Sequence, residues 1–203
     1  MGISERKERE KGEMKKMITT AAMKMFLEDG YAKTSIRNIA DSIEYSPGTI
    51  YLYYKDKDEL LYEVQAQAFL QLLETFRTKA ISKNPIERLE QLGKAYVSFA
   101  LENPELYDLM FIIRAPMNVD EELHKDNGVA TFNCLADCLE ECMKNGLLIF
   151  KDPMQAGLQV WSMMHGLVSL NLRCRLKVMA IEEESIKSVL FKAVEEYLDS
   201  IVV

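Results

Sequence analysis

Between Thr34 and Leu60 the sequence reads TSIRNIADSIEYSPGTIYLYYKDKDEL, and its polar side chains divide by the chemistry they can do. Thr34 and Ser35 stand where a helix begins, and free N–H groups at a helix start suit a phosphate. Tyr53 and Lys57 offer a hydroxyl and an ammonium to a phosphodiester backbone. Arg37 can fork onto guanine O6 and N7, and Thr49 can touch a thymine methyl or a base edge. Gly48 lets backbone approach a ligand closely, and Ser46 supplies the oxygen that starts the helix carrying Thr49. Phosphate anchors and base readers together describe recognition of a duplex polyanion, not bond breaking.

Catalysis has much less to draw on. His124 and His165 are the two histidines, and no GxSxG, P-loop, HExxH or spaced nucleophile–base pair is visible, so an enzyme is not expected. Cys134, Cys138 and Cys142 fall at i, i+4 and i+8, along one helix face. Two readings of them stand: small residues of a core, or thiols that bind a soft metal or sense oxidants. No metal site or cofactor is assigned. The four cysteines show no CxxC spacing, which fits reduced thiols in a cytoplasmic protein.

The elements that must position the polar set follow from periodicity. Ile36, Ile39, Ala40 and Ile43 give a helix with one apolar face. Glu44 and Tyr45 turn the chain, and Ser46-Pro47 starts a second helix with proline at the first helical position. Ile50 and Tyr54 then pack back, leaving Gly48, Thr49, Leu52 and Tyr53 outward: a helix-turn-helix. Before it, Met14 to Phe26 repeats at helical spacing and Asp29-Gly30 stops it. After it, Asp56 and Glu59 have the spacing of a capping box.

Four of the five prolines follow a good N-cap: Ser46-Pro47, Asn84-Pro85, Asn103-Pro104 and Asp152-Pro153. Each marks a helix start. The expected helices are about 14–29, 35–43, 47–54, 57–80, 85–102, 104–114, 125–145, 153–177 and 183–201, with Pro116 in the one long connection. No period-2 alternation appears, so the chain is expected to be all-α, with about nine helices.

Net charge is −7, which by itself argues against a polyanionic partner. The charge is unevenly spread: residues 1–57 sum to +2 and the remainder to −9, so the basic excess lies with the helix-turn-helix. Residues 1–12 are nearly all charged, and read as a solvated, frayed arm or as an arm reaching phosphates or a minor groove. No apolar run follows them, so no signal peptide is expected. The uncharged stretch 153–172 is long enough to span a bilayer but too polar for lipid, and reads as a helix buried by protein.

The run Thr34…Ile39-Ala40…Ser46-Pro47-Gly48-Thr49-Ile50-Tyr51-x-Tyr53-Tyr54-x-x-Lys57-x-x-Leu60-Leu61 strongly resembles the DNA-binding domain of TetR-type transcriptional regulators, densely from Lys15 to Leu61. The resemblance implies a helix-turn-helix DNA-binding domain over 1–56 and a helical effector-binding and dimerisation domain over 57–203. It implies phosphate contacts from Tyr53 and Lys57, and leaves Tyr51 open between packing and phosphate. It also implies a homodimer through helices 153–177 and 183–201 on a near-palindromic DNA operator, without a membrane. A small apolar or amphipathic effector would release it. Tyr96, Phe99, Met110, Phe111, Phe132, Trp161 and His165 are the expected lining of the effector pocket. Two alternatives remain: a thiol- or metal-responsive regulator using Cys134, Cys138 and Cys142, and a helical protein–protein adaptor without specific DNA reading.

Overall fold

The computed structural model describes residues 2–113 and 126–203, and their backbone is all-α. Nine α-helices lie among them: α1 Ile3–Glu28, α2 Ile36–Ser42, α3 Pro47–Tyr51, α4 Lys57–Lys79, α5 Pro85–Glu102, α6 Pro104–Phe111, α7 Asp126–Lys144, α8 Pro153–Leu172 and α9 Ile186–Ile201. Short 3-10 turns at Arg175–Met179 and Glu183–Ser185 join α8 to α9. Arg114 and Lys125, the expected end and start of two helices, lie outside the described residues, as do Pro116 of the long connection between them and His124. No helix among those described is long and apolar enough to cross a membrane.

The helix starts are set locally. Asn84 accepts from the N–H groups of Ile86 and Glu87 at 2.9 and 3.4 Å, and Asp152 from those of Met154 and Gln155 at 2.8 and 3.1 Å. Each side chain satisfies donors that the first turn leaves unpaired. Asn103 differs from expectation. Its amide donates back to the Phe99 carbonyl at 2.9 Å, so its side chain closes the end of α5.

Several helix bounds also depart from the sequence reading, and α3 and α6 each end three residues early, at Tyr51 and Phe111. α1 begins at Ile3, not near Met14, so the charged run is helix and not a frayed arm. Arg6–Glu10 at 2.7 Å and Arg9–Glu13 at 3.6 Å are i,i+4 pairs that support it, and it propagates from turns already fixed by the core. α8 stops at Leu172, because Cys174 and Ala180 take left-handed conformations (φ 55° and 50°) around a 3-10 turn. α9 starts at Ile186, three residues later than expected, after the second 3-10 turn.

The chain forms two compact units. One runs to Ala68 and takes in the chain from Glu105; the other holds Phe69–Pro104 and Asp126–Val203. α4 is therefore shared between them. The first unit buries Ile18, Ala22 and Phe26 of α1 with Ile36, Ile39 and Ala40 of α2, Ile50, and Leu60, Leu61 and Val64 of α4. Each large aliphatic side chain removed from water there contributes about 1.5–3 kcal/mol. In the second unit α5, α7, α8 and α9 share a core that includes Leu92, Val97, Leu139, Val160, Val194 and Leu198. Gly93 is where α5 comes closest to its neighbours. A Cβ there would stand 2.9 Å from Val194 Cγ1 and 3.3 Å from Met164 Cε. The C-terminus is tied down by an isolated bridge, with Ile149 N–H donating to Ile201 O at 3.0 Å and Val203 N–H to Leu147 O at 3.1 Å.

Candidate nucleic-acid interface

Ser35 caps α2: its hydroxyl oxygen accepts from the Asn38 N–H at 3.1 Å, and the Asn38 side chain accepts from the Ser35 N–H at 3.1 Å. The turn to α3 needs one residue in the left-handed region, and Glu44 takes it with φ 61°. Ser46 then caps α3, accepting from the Thr49 N–H at 3.2 Å with its hydroxyl 3.1 Å from the Thr49 hydroxyl. Ile50 and Tyr54 are buried at 0 and 2 % exposure, which fixes the rotation of α3. Gly48 is consequently exposed, Thr49 and Tyr53 are half-buried, and Leu52 stands 80 % exposed.

Tyr54 is a packing residue. Its hydroxyl lies 2.9 Å from that of Thr19 on α1, and burial pushes its pKa up. Arg37 is well exposed on α2, with its guanidinium 4.0 Å from the equally open Asp41 carboxylate. Such a surface pair adds little and leaves the arginine available. Tyr51 is exposed, which resolves the open choice at that position in favour of solvent over core.

Two of the residues assigned to phosphates are used differently. Thr34 is buried at 3 % exposure and its hydroxyl donates inward, to the carbonyls of Met25 at 3.2 Å and Gly30 at 3.0 Å. Only its backbone remains for a phosphate. Lys57 donates to the carbonyls of Tyr31 at 2.9 Å and Thr34 at 3.0 Å, with its ammonium 4.0 Å from the Tyr31 ring centroid. The Tyr31 hydroxyl donates to Asp58, and burial with that carboxylate raises the tyrosine pKa. Lys57 and Asp58 thus fasten the start of α4 to the α1–α2 turn. Glu59 completes the cap, with its N–H on Asp56 at 2.9 Å and its carboxylate turned to the Lys55 N–H.

Tyr45, assigned only to the turn, is 41 % exposed beside the α3 start. It is an additional candidate contact. Its signal in the sequence was an aromatic residue in a turn, outside either apolar stripe.

Of the seven residues expected to line an effector pocket, five belong to the second unit, where they fall in two places. Tyr96, Phe132, Trp161 and His165 form one chain across α5, α7 and α8. The Tyr96 hydroxyl is 3.0 Å from His165 Nδ1; the Trp161–His165 and Phe132–Trp161 ring centroids are 6.1 and 6.2 Å apart, edge to face. Burial, with Arg173 nearby, lowers the His165 pKa, so the imidazole is neutral at pH 7. Phe99 is buried on α5 and borders a different space, an open cleft of about 500 Å³ between the second half of α4, α5 and α9. Its lining is about evenly polar and apolar, and its Lys94 and Lys187 are already paired, with Glu90, Glu195 and Glu102. Met110 and Phe111 lie on α6, which groups with the first unit. An apolar face on each helix was legible; which faces meet was not.

Cys138 and Cys142 are buried, and Cys134 half-buried. The hydrogen bond with Cys142 and burial hold the Cys138 thiol up, and its sulfur lies 3.4 Å from the Pro85 carbonyl oxygen. Burial raises Cys134 as well. The hydrogen bond with Cys138 lowers Cys142, but that sulfur is fully buried, so no thiol of the stripe is both lowered and open to solvent, as a nucleophile or soft-metal ligand needs. No group of three or more His, Cys, Asp or Glu side chains that could hold a metal occurs among the described residues. The core reading of this stripe is the one the packing favours.

A three-helix unit with two capped short helices, joined by a left-handed turn residue and presenting the start of the second, defines a helix-turn-helix protein. Residues 18–64 match the family described as "Bacterial regulatory proteins, tetR family", and residues 89–192 match "Tetracyclin repressor-like, C-terminal domain". The chain belongs to the TetR family of transcriptional regulators, which are not enzymes.

Among curated relatives it is similar to the HTH-type transcriptional regulator HbdR of Aromatoleum sp. (strain CIB). The two are 27 % identical over 142 residues, covering 67 % of this chain and 60 % of HbdR. It is also similar to the probable acrEF/envCD operon repressor of Escherichia coli (strain K12), at 21 % identity over 136 residues, 64 % of this chain and 62 % of that protein. The match thus spans less than two thirds of either relative's length. Among solved structures, a protein of unknown function from Rhodococcus sp. RHA1 superposes with a TM-score of 0.77 at 21 % identity, covering 93 % of this chain and 95 % of that one. That likeness concerns the fold.

Proposed function

We propose that the protein is a ligand-responsive transcriptional repressor that binds a near-palindromic operator as a homodimer. The observation that carries this reading is the exposed start of α3, held by the buried Ile50 and Tyr54 while Gly48, Thr49 and Leu52 face solvent or its edge. Ser35, Ser46, Tyr45, Tyr51 and Tyr53 then contact phosphates, and Arg37 and Thr49 read bases. Lys57 keeps one of its three N–H donors for a phosphate while the other two hold the α1–α2 turn. The name of the Escherichia coli relative, an operon repressor, supports repression over activation.

Residues 1–56 serve as the DNA-binding domain and 57–203 as the regulatory domain, and the protein acts in the bacterial cytoplasm where its DNA lies. The exposed face of α8 supports dimerisation: Met154 and Leu158 are 76 and 52 % exposed, and Ser162, Gly166 and Ser169 continue it with small residues. Small side chains allow a symmetry mate to approach closely in a four-helix contact through α8 and α9. The Tyr96–His165–Trp161–Phe132 chain gives the regulatory domain an aromatic wall with two polar atoms, suited to a medium-sized apolar or amphipathic effector. The effector favours dimers whose recognition helices no longer match successive major grooves, about 34–36 Å apart, by a few kcal/mol of differential affinity.

Arg37→Ala and Thr49→Val test the reading assigned to the helix-turn-helix. Each should change which sequence is preferred, Arg37→Ala by about 1–3 kcal/mol at one base pair. Preferences identical to the parent's in both variants would contradict the contact assignment.

A further inference from the structure

Residues 4–13 of α1, which precede the core, are all exposed. No side chain from Ser4 to Met17 is buried, and the first buried residue is Ile18. At about 1.5 Å per residue, α1 runs roughly 22 Å from Ile3 before it enters the first unit. This spur has two unlike faces. Arg6–Glu10 and Arg9–Glu13 occupy one, as i,i+4 ion pairs that neutralise each other. Lys7, Lys11 and Lys15 recur at i, i+4 and i+8 on the opposite side. Glu8 stands at the edge of this stripe, three residues before Lys11, and offsets part of its charge; the remaining positive excess suits an anion.

The lysine stripe is in line with the packed face of α1. Continuing from Lys15, the same stripe reaches Ile18 and Ala22, both buried in the first unit. Lys15 lies with its ammonium 5.6 Å from the Tyr54 ring centroid, and Thr19 meets the Tyr54 hydroxyl. The spur therefore leaves the unit past the end of α3, with its lysines turned to the side on which α3 sits.

The geometry points to a second DNA contact: the lysine stripe of the α1 spur holds backbone phosphates flanking the half-site that α3 reads. Flexible four-carbon stems suit point-charge contact with phosphates without sequence reading. A membrane surface is not the partner, because an interfacial helix needs a broad apolar face and residues 4–13 are polar or glycine throughout. This inference rests on the DNA-binding reading above and adds a site to it.

The test uses the full chain and a duplex recovered from a random pool, in two forms: flanked by about one helical turn on each side, and trimmed to the recognised sequence. K7Q/K11Q removes the stripe while keeping good helix formers; R6Q/R9Q removes as much charge from the opposite face. On the flanked duplex the slope of log K against log salt should become shallower by about 3.6 for K7Q/K11Q, some 0.9 for each of the four phosphates the dimer loses. It should be unchanged for R6Q/R9Q, K7R/K11R should keep the parent slope, and on the trimmed duplex K7Q/K11Q and the parent should coincide. An unchanged slope for K7Q/K11Q on the flanked duplex, or an equal loss in R6Q/R9Q, overturns the spur contact while leaving the helix-turn-helix reading in place. A parent that binds no duplex specifically overturns both.

Discussion

The helix-turn-helix and the aromatic chain of the second unit are built by different means. In the first, the groups that set the geometry are neighbours in sequence: Ser35 with Asn38, Ser46 with Thr49, Asp56 with Glu59. Each is a cap three residues long, so the interface is specified almost residue by residue. In the second, the defining contacts are long-range, Tyr96 with His165 and Phe132 with Trp161, and depend on three helices packing in register. The comparison explains why a short sequence run can announce a reader while a sensor of similar size stays obscure.

Perturbing the two kinds of construction should separate them. The largest effect is expected at Gly93, where an added methyl meets Val194 and Met164. Gly93→Ala should cost about 1–3 kcal/mol by overpacking, read as a lowered urea midpoint. If α5, α8 and α9 yield freely, the midpoint will not move, and the second unit is less tightly specified than the comparison holds.

Next in size is Lys57→Met, which strips two carbonyls of a charged donor and should destabilise the first unit by about 1–2 kcal/mol. It should also weaken DNA binding at every sequence alike. A variant as stable as the parent would return Lys57 to a purely DNA-facing role. Ser46→Ala should cost about 1 kcal/mol of local stability through loss of the α3 cap, with faster amide exchange at Thr49 as the readout.

The smallest effect expected is a pH step from His165. Its folded pKa lies below the ordinary value of about 6.5 because burial disfavours the imidazolium. Between the folded and the ordinary value the unfolded chain holds more protons, so stability rises with pH in that window. It is complete above the unfolded pKa and is lost as pH falls through it towards the folded one. His165→Gln should flatten the stability profile in that range; a profile unchanged by the substitution would mean that His165 titrates normally.

The same contrast accounts for what could be read from the sequence. The all-α fold, the prolines that open α3, α5 and α8, and the packed pair Ile50 and Tyr54 follow from spacing and capping chemistry alone. The start of α1 did not, because residues 3–13 have no apolar periodicity and are held helical by ion pairs and by continuity with a buried segment. The fastening role of Lys57 was not legible because its acceptors, the carbonyls of Tyr31 and Thr34, lie 26 and 23 residues away. The inward bonding of the Thr34 hydroxyl was hidden for a related reason: its acceptors, the Met25 and Gly30 carbonyls, belong to the end of the preceding helix and the turn after it. Among the pocket candidates, apolar character did not tell which residues are inside, since Phe132 and Trp161 are exposed, nor which side of a helix each neighbour covers. Met110 and Phe111 were therefore grouped with residues of another unit.

The central claim, that this helix-turn-helix reads a two-fold site as part of a dimer, is tested most directly by selecting binders from a random duplex pool at near-physiological salt. Enrichment of an inverted repeat, with half-site centres about one helical turn or a multiple of it apart, is the predicted result. Recovery of unrelated sequences, bound only at low salt, would contradict it and leave a nonspecific binder or an adaptor.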